Sequence, residues 1–236
     1  MPKTIGGPIR PLVLAVLLSG SGRTLENLLR VIDRGELNAR VAVVVSSKPG
    51  VRGLSIAEEA GIPHLTLRRR DFPDDESYSD AIYAAIGPYQ PDLIVMAGFL
   101  RRLVVRPGWE GRILNIHPSL LPDAPAGPGL YGDRVHAAVL TSGATVSGAT
   151  VHVVNDEYDS GPIVMQARVP VLPDDTVETL AARVFAAECE LYPAAIRTYV
   201  ATHPELFGEI TSASGSGAPC DERPMEPATA ARGEGE

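Results

Sequence analysis

Cysteine is scarce in this chain: Cys189 and Cys220 are the two in 236 residues. Two cysteines cannot build a disulfide framework or a four-Cys zinc site. Both read as free thiols of a reducing compartment, so a cytoplasmic protein is expected. The apolar run Pro11 to Leu18 is too short to cross a membrane and reads as a buried strand. Met1 to Arg10 lack the long apolar core and cleavage site of a signal peptide. Positive charge is outnumbered, with 21 Lys and Arg against 29 Asp and Glu and a net charge of -8. That argues against a protein built to grip nucleic acid, which needs a basic surface. An anionic small molecule stays possible, because a few N–H groups and one Arg hold a phosphate on an acidic protein. No His/Cys/Asp cluster has metal-ligand spacing, so no metal is expected.

What is present is a regular alternation of short apolar runs with helical stretches. Strands are predicted at Leu12–Leu18, Val41–Val45, Leu65–Leu67, Leu93–Ala97 and Arg112–His117, with helices over Thr24–Arg34, Val51–Ala60 and Glu76–Gly87 between them. This rhythm predicts an α/β fold: one doubly wound, mostly parallel, Rossmann-like sheet with helices on both faces. After Pro118 the rhythm changes. Leu120 to Asp133 is rich in Pro and Gly and reads as an irregular loop, and Tyr131–Ser142 reads as a helix. Thr145–Val154 and Ile163–Val171 alternate like two antiparallel C-terminal strands. A long helix follows over Thr176–Thr202, with Val177, Leu180, Val184 and Leu191 at core-facing spacing and Pro193 expected to kink it. The expected organisation is a flexible start over 1–10, one domain over 11–207 and a disordered tail over 208–236, where large apolar side chains almost vanish.

Three segments carry chemistry. The first is Ser19-Gly20-Ser21-Gly22, between the first strand and first helix, where glycines let backbone N–H groups at a helix start face an anion. It is not a dinucleotide fingerprint, since Leu25 holds the third glycine position and the second strand ends in Ser46 and Ser47 instead of an acid. The second is Asn115-Ile116-His117-Pro118. Asn115 and His117 project from one face of a strand that Pro118 ends, at the carboxyl edge where open α/β sheets bind ligands. An amide that stabilises an oxyanion beside an imidazole that handles a proton is what acyl transfer needs. The third is the polar loop Asn155 to Pro162, where Asp159 could orient an imidazole or a water. Spacing alone does not pair Asp159 with His117.

Together these segments resemble the formyltransferases that use 10-formyltetrahydrofolate, and among them those acting on glycinamide ribonucleotide in purine biosynthesis. The resemblance runs from about Leu12 to Tyr199 and rests on Leu114-Asn-Ile-His-Pro-Ser-Leu-Leu-Pro122, followed in order by Val151-His152, Asp159 and Gly161-Pro162. It implies a catalytic set of Asn115, His117 and Asp159, and a loop of Gly20, Ser21, Gly22, Arg23 and Thr24 for the acceptor's phosphate. It also implies that Glu188 meets the acceptor's ribose. The folate pocket would have Leu100, Arg101, Arg102 and Leu103 as one wall and Asn155, Asp156, Glu157, Tyr158 and Asp159 as the other, and would also include Asn115. The partners implied are the two small molecules alone, without nucleic acid or membrane, in a monomer or homodimer.

The chain departs from the family in having Arg23-Thr24 where a small polar pair is usual, a longer segment over Asp123–Asp133, and Asp75 at an Arg position. Arg23 is therefore expected either to add a contact to the phosphate or to point into solvent. His152 reads as a packed, hydrogen-bonded histidine near the site, and His64, His136 and His203 as surface or structural. Ser119 lacks the glycine-flanked elbow of a serine hydrolase. The rivals on this fold are a sugar-nucleotide N-formyltransferase, a formyltetrahydrofolate hydrolase and a non-catalytic ligand-binding protein. The hydrolase usually carries a regulatory domain ahead of the first strand, where this chain has Met1 to Arg10.

Overall fold

A computed structural model of the chain describes residues 10–123 and 132–208. The flexible start and the tail expected from the sequence lie outside these residues, apart from Arg10 and Gly208, as does most of the longer segment after Pro122. Seven strands form one sheet in the order β3-β2-β1-β4-β5-β6-β7. They are β1 (Leu12–Leu18), β2 (Ala39–Ser46), β3 (His64–Thr66), β4 (Leu93–Met96), β5 (Ile113–His117), β6 (Val146–Val153) and β7 (Ile163–Pro170). The first five run parallel; β6 is antiparallel to β5, and β7 to β6. The mostly parallel sheet with antiparallel C-terminal strands is as the sequence pattern predicts.

The central strand explains the arrangement. All seven residues of β1 are buried, as an unbroken apolar run must be when helices cover both faces of a parallel sheet. From β1 the chain first builds outward through β2 and β3, then returns to add β4 and β5 on the other side. Strand order therefore reverses between β1 and β4, which leaves a crevice at their carboxyl ends.

The helices are α1 (Arg23–Asp33), α2 (Arg52–Glu59), α3 (Asp75–Ile86), α4 (Asp133–Thr141), α5 (Val177–Thr202) and the short α6 (Pro204–Phe207). On one face Leu14, Val16 and Leu18 pack with Leu25 and Leu28 of α1 and Leu180, Val184 and Ile196 of α5. On the other face Ala15 and Leu17 pack with Tyr78, Ile82 and Ile86 of α3. Val177, expected in the core, is only half-buried, as the first residue of α5. Asp75 begins α3 and pairs with Arg69.

Helix α5 continues through Pro193, which is buried. Proline has no N–H, so the carbonyl of Cys189 one turn earlier loses its helical donor. The Nδ2 of Asn27 on α1 donates to that oxygen at 2.8 Å. Tyr192, also buried, directs its hydroxyl at the carbonyls of Leu114 (2.8 Å) and Met96 (3.2 Å). That ties α5 to β4, on one side of the crevice, and to its neighbour β5.

Candidate active site

The crevice is a cleft of about 570 Å³, lined by Gly20–Thr24 after β1, Met96–Arg101 after β4, Asn115–Pro118 at the end of β5, and residues of α4, α5 and the 158–159 loop. The first segment is held by Ser19. Its hydroxyl meets that of Ser47 at 2.6 Å and accepts from the N–H of Leu100 at 2.9 Å, which joins β1, β2 and the segment after β4. Gly22 caps α1 at φ 72, and no side chain caps that helix start. A Cβ at Gly22 would stand 2.5 Å from the Cα of Gly53, so only glycine allows α2 to pack this close. The helix start is thus open toward the cleft, the usual geometry for an anion.

Asn115 and His117 line the same cleft, as their spacing on β5 predicts. Across the β5–β6 ladder Asn115 faces His152. The Nδ1 of His152 is 3.1 Å from the Val153 carbonyl and must carry a proton there. Its Nε2 therefore accepts from Nδ2 of Asn115 at 3.1 Å. An Asp159 carboxylate oxygen stands 3.5 Å from Nδ1 of His117 and 3.6 Å from Nε2 of His152. The fold brings together the three residues that the resemblance implied, and adds His152 between two of them. Asp159 sits at φ 52, a left-handed conformation that Asp tolerates better than most residues.

The two expected walls of the folate pocket also meet. A smaller cavity of about 40 Å³ lies between Arg101–Leu103 and Val154–Asp159, with Asn115 and His152 at its base. Nη2 of Arg102 donates to the Asp156 carbonyl at 3.0 Å, fastening one wall to the other. Oδ1 of Asn155 accepts from the Glu157 N–H (3.2 Å) and the Ser160 hydroxyl (3.1 Å), which shapes the turn. At Gly161 a Cβ would stand 1.8 Å from the Val153 carbonyl, so the loop's return to β7 also requires glycine. Leu103 is 2% exposed and serves mainly the core behind the wall.

Glu188 lines the cleft from α5 with Ala181 and Phe185. Burial pushes its carboxyl up to about 7, although the charge of Arg23 pulls the other way. Arg23 is exposed, yet its guanidinium lies against the protein: the guanidinium carbon is 3.6 Å from the centre of the Phe185 ring. Phe185 is a cleft residue that the motifs do not single out; its only signal in the sequence is the spacing of Ala181, Phe185 and Glu188 along one helical stripe.

Of the three histidines read as surface or structural, His136 is not at the surface. This residue is 4% exposed and lines the cleft from the first turn of α4. Burial holds its pKa below the ordinary histidine value, with Asp133 opposing and His117 adding to the shift. His64 is exposed, and His203 contacts the carbonyl of Tyr199 at 2.8 Å.

A mostly parallel sheet with an Asn and a His at one strand end, a carboxylate near the imidazole and an open helix start fits the class of acyl-group transferases. The sequence model of the family described as Formyl transferase matches residues 12–196, and the chain belongs to that family. It is 36% identical to a phosphoribosylglycinamide formyltransferase of Haemophilus influenzae, over 87% of this chain and 95% of that protein. It is 42% identical to the trifunctional purine biosynthetic protein adenosine-3 of Gallus gallus over 78% of this chain, but spans only 18% of that protein's length. Among solved structures, phosphoribosylglycinamide formyltransferase from Brucella melitensis superposes with a TM-score of 0.73 at 43% identity, covering 81% of this chain and 97% of that one.

Proposed function

We propose that this chain transfers the formyl group of 10-formyltetrahydrofolate to the amine of glycinamide ribonucleotide, in purine biosynthesis and in the cytoplasm. One observation carries the reading: a single cleft joins the open helix start at Gly20–Thr24, the Asn115–His117 pair and the Tyr158–Asp159 loop. A phosphate-bearing acceptor fits the first, a reacting carbonyl the second and a folate the walls beyond. The Haemophilus influenzae relative that bears this activity in its name matches over 95% of its length.

In the proposed reaction the acceptor amine attacks the formyl carbon and forms a tetrahedral oxyanion. The amide of Asn115, oriented by His152, and the protonated imidazole of His117 donate to that oxygen. Asp159 stabilises the imidazolium and carries protons by way of water. Collapse breaks the bond from carbon to N10 of the folate. The amine gives up one proton, N10 gains one, and formylated acceptor and tetrahydrofolate leave.

The test is an acceptor panel with purified protein and 10-formyltetrahydrofolate. Tetrahydrofolate is expected only with glycinamide ribonucleotide. Equal turnover without an amine would identify a hydrolase, and turnover only with an amino-sugar nucleotide would identify the sugar-nucleotide enzyme.

A further inference from the structure

We propose that Phe185 is a positioning residue: it holds the Arg23 guanidinium at the open start of α1 so that this chain grips the acceptor's phosphate with a fixed arginine. The inference rests on the function proposed above and deepens it at one end of the cleft.

The geometry is a ladder of two rungs between α1 and α5. The lower rung is the bond from Asn27 to the Cys189 carbonyl. One helical turn nearer the cleft on both helices, four residues earlier in each, stand Arg23 and Phe185, stacked at 3.6 Å. The lower rung sets the height at which the upper one meets. Stacking occupies the face of the guanidinium and leaves its N–H donors, which lie in the plane, for hydrogen bonds. Arg23, Phe185 and the Gly20–Gly22 backbone line the same cleft. An unanchored arginine at an exposed helix start would lose its rotamer freedom each time a ligand bound. The ring removes part of that loss beforehand.

The test is a set of steady-state measurements with glycinamide ribonucleotide and 10-formyltetrahydrofolate on the full chain, with melting temperature recorded for every variant. Phe185→Leu keeps an apolar contact but loses the ring face, and should raise KM for the acceptor by about three- to tenfold. The effect on kcat and on KM for the folate should be smaller than about twofold. Phe185→Tyr restores the face and should return KM to near the wild-type value. In an Arg23→Ala background, Phe185→Leu should cost nothing further, because the ring acts through the arginine.

An unchanged acceptor KM in Phe185→Leu would overturn the inference, as would failure of Phe185→Tyr to restore it. So would an equal cost with and without Arg23. Wild-type protein that does not formylate glycinamide ribonucleotide would overturn the proposed function, and this inference with it.

Discussion

The side-chain amide of Asn115 donates to Nε2 of His152 across the β5–β6 ladder at 3.1 Å. One of the two amide protons is thereby committed and the amide plane is set. The second proton can donate into the cleft, where the proposed reaction develops an oxyanion. His152 is 2% exposed, which keeps water from competing for the bond.

Asn115→Ala and His117→Ala should each lower kcat by about 10²–10⁴-fold, the usual cost of losing an oxyanion donor or an acid–base group. Asp159→Asn should also cost heavily, because an amide neither stabilises the imidazolium nor accepts its proton. His152→Ala should lower kcat by about 10–100-fold through a loosened Asn115, with folate KM moved less. Steady-state kinetics on the four variants decide the matter; near-normal rates in all of them would remove the site.

Glu188 gives a pH dependence with a defined sign. Its pKa in the folded chain is raised to about 7 from an ordinary 4.5, mainly by burial. The folded chain therefore holds this proton over a range in which the unfolded chain has lost it. The stability from this group is complete below about pH 4.5 and is lost as pH rises toward about 7. Glu188→Gln should flatten this component of a melting-temperature profile. The carboxylate is the better acceptor for ribose hydroxyls, so wild-type acceptor KM should fall as pH rises through about 7, and stay level in the variant.

Gly22→Ala tests the close approach of α1 to α2. The residue sits at φ 72, and the added carbon would meet the Cα of Gly53 at 2.5 Å. Left-handed strain alone costs about 1–2 kcal/mol, and the backbone contact adds to it. For a domain of this size each kcal/mol lowers the melting temperature by about 2–4 °C. Calorimetry should record a fall of at least about 4 °C, and acceptor KM should rise with it.

Much of this was legible in the sequence because it is local. The seven apolar residues of β1, the bounds of α1, α2, α3 and α5 within one residue and the strand end at Pro118 follow from period and punctuation. The positions of Asn115 and His117 at the sheet edge follow from the same signals. Contacts between distant segments were not legible. Asn115 and His152 are 37 residues apart, and no spacing rule pairs an amide with a histidine across an antiparallel ladder. Arg23 and Phe185 meet only because α1 and α5 share a face of the sheet. That His136 is buried and lines the cleft was not legible either, because it depends on how α4 packs.

Asn27 and Pro193 are coupled through one carbonyl. Asn27 is 6% exposed and its Nδ2 donates to the Cys189 carbonyl, which Pro193 leaves without a helical donor. Asn27→Ala alone removes that donor and strands a carbonyl, at a cost of about 1–3 kcal/mol. Pro193→Ala alone supplies an N–H that competes for the same oxygen, so the Asn27 amide becomes the surplus partner. Combining the two removes the surplus, and the helix then bonds to itself. Asn27→Ala should therefore cost markedly less in the Pro193→Ala background than in the wild type. Denaturant unfolding of the four proteins measures this coupling. Equal costs in both backgrounds would mean that Asn27 stabilises the chain by packing alone, and that the bond to Cys189 adds nothing to it.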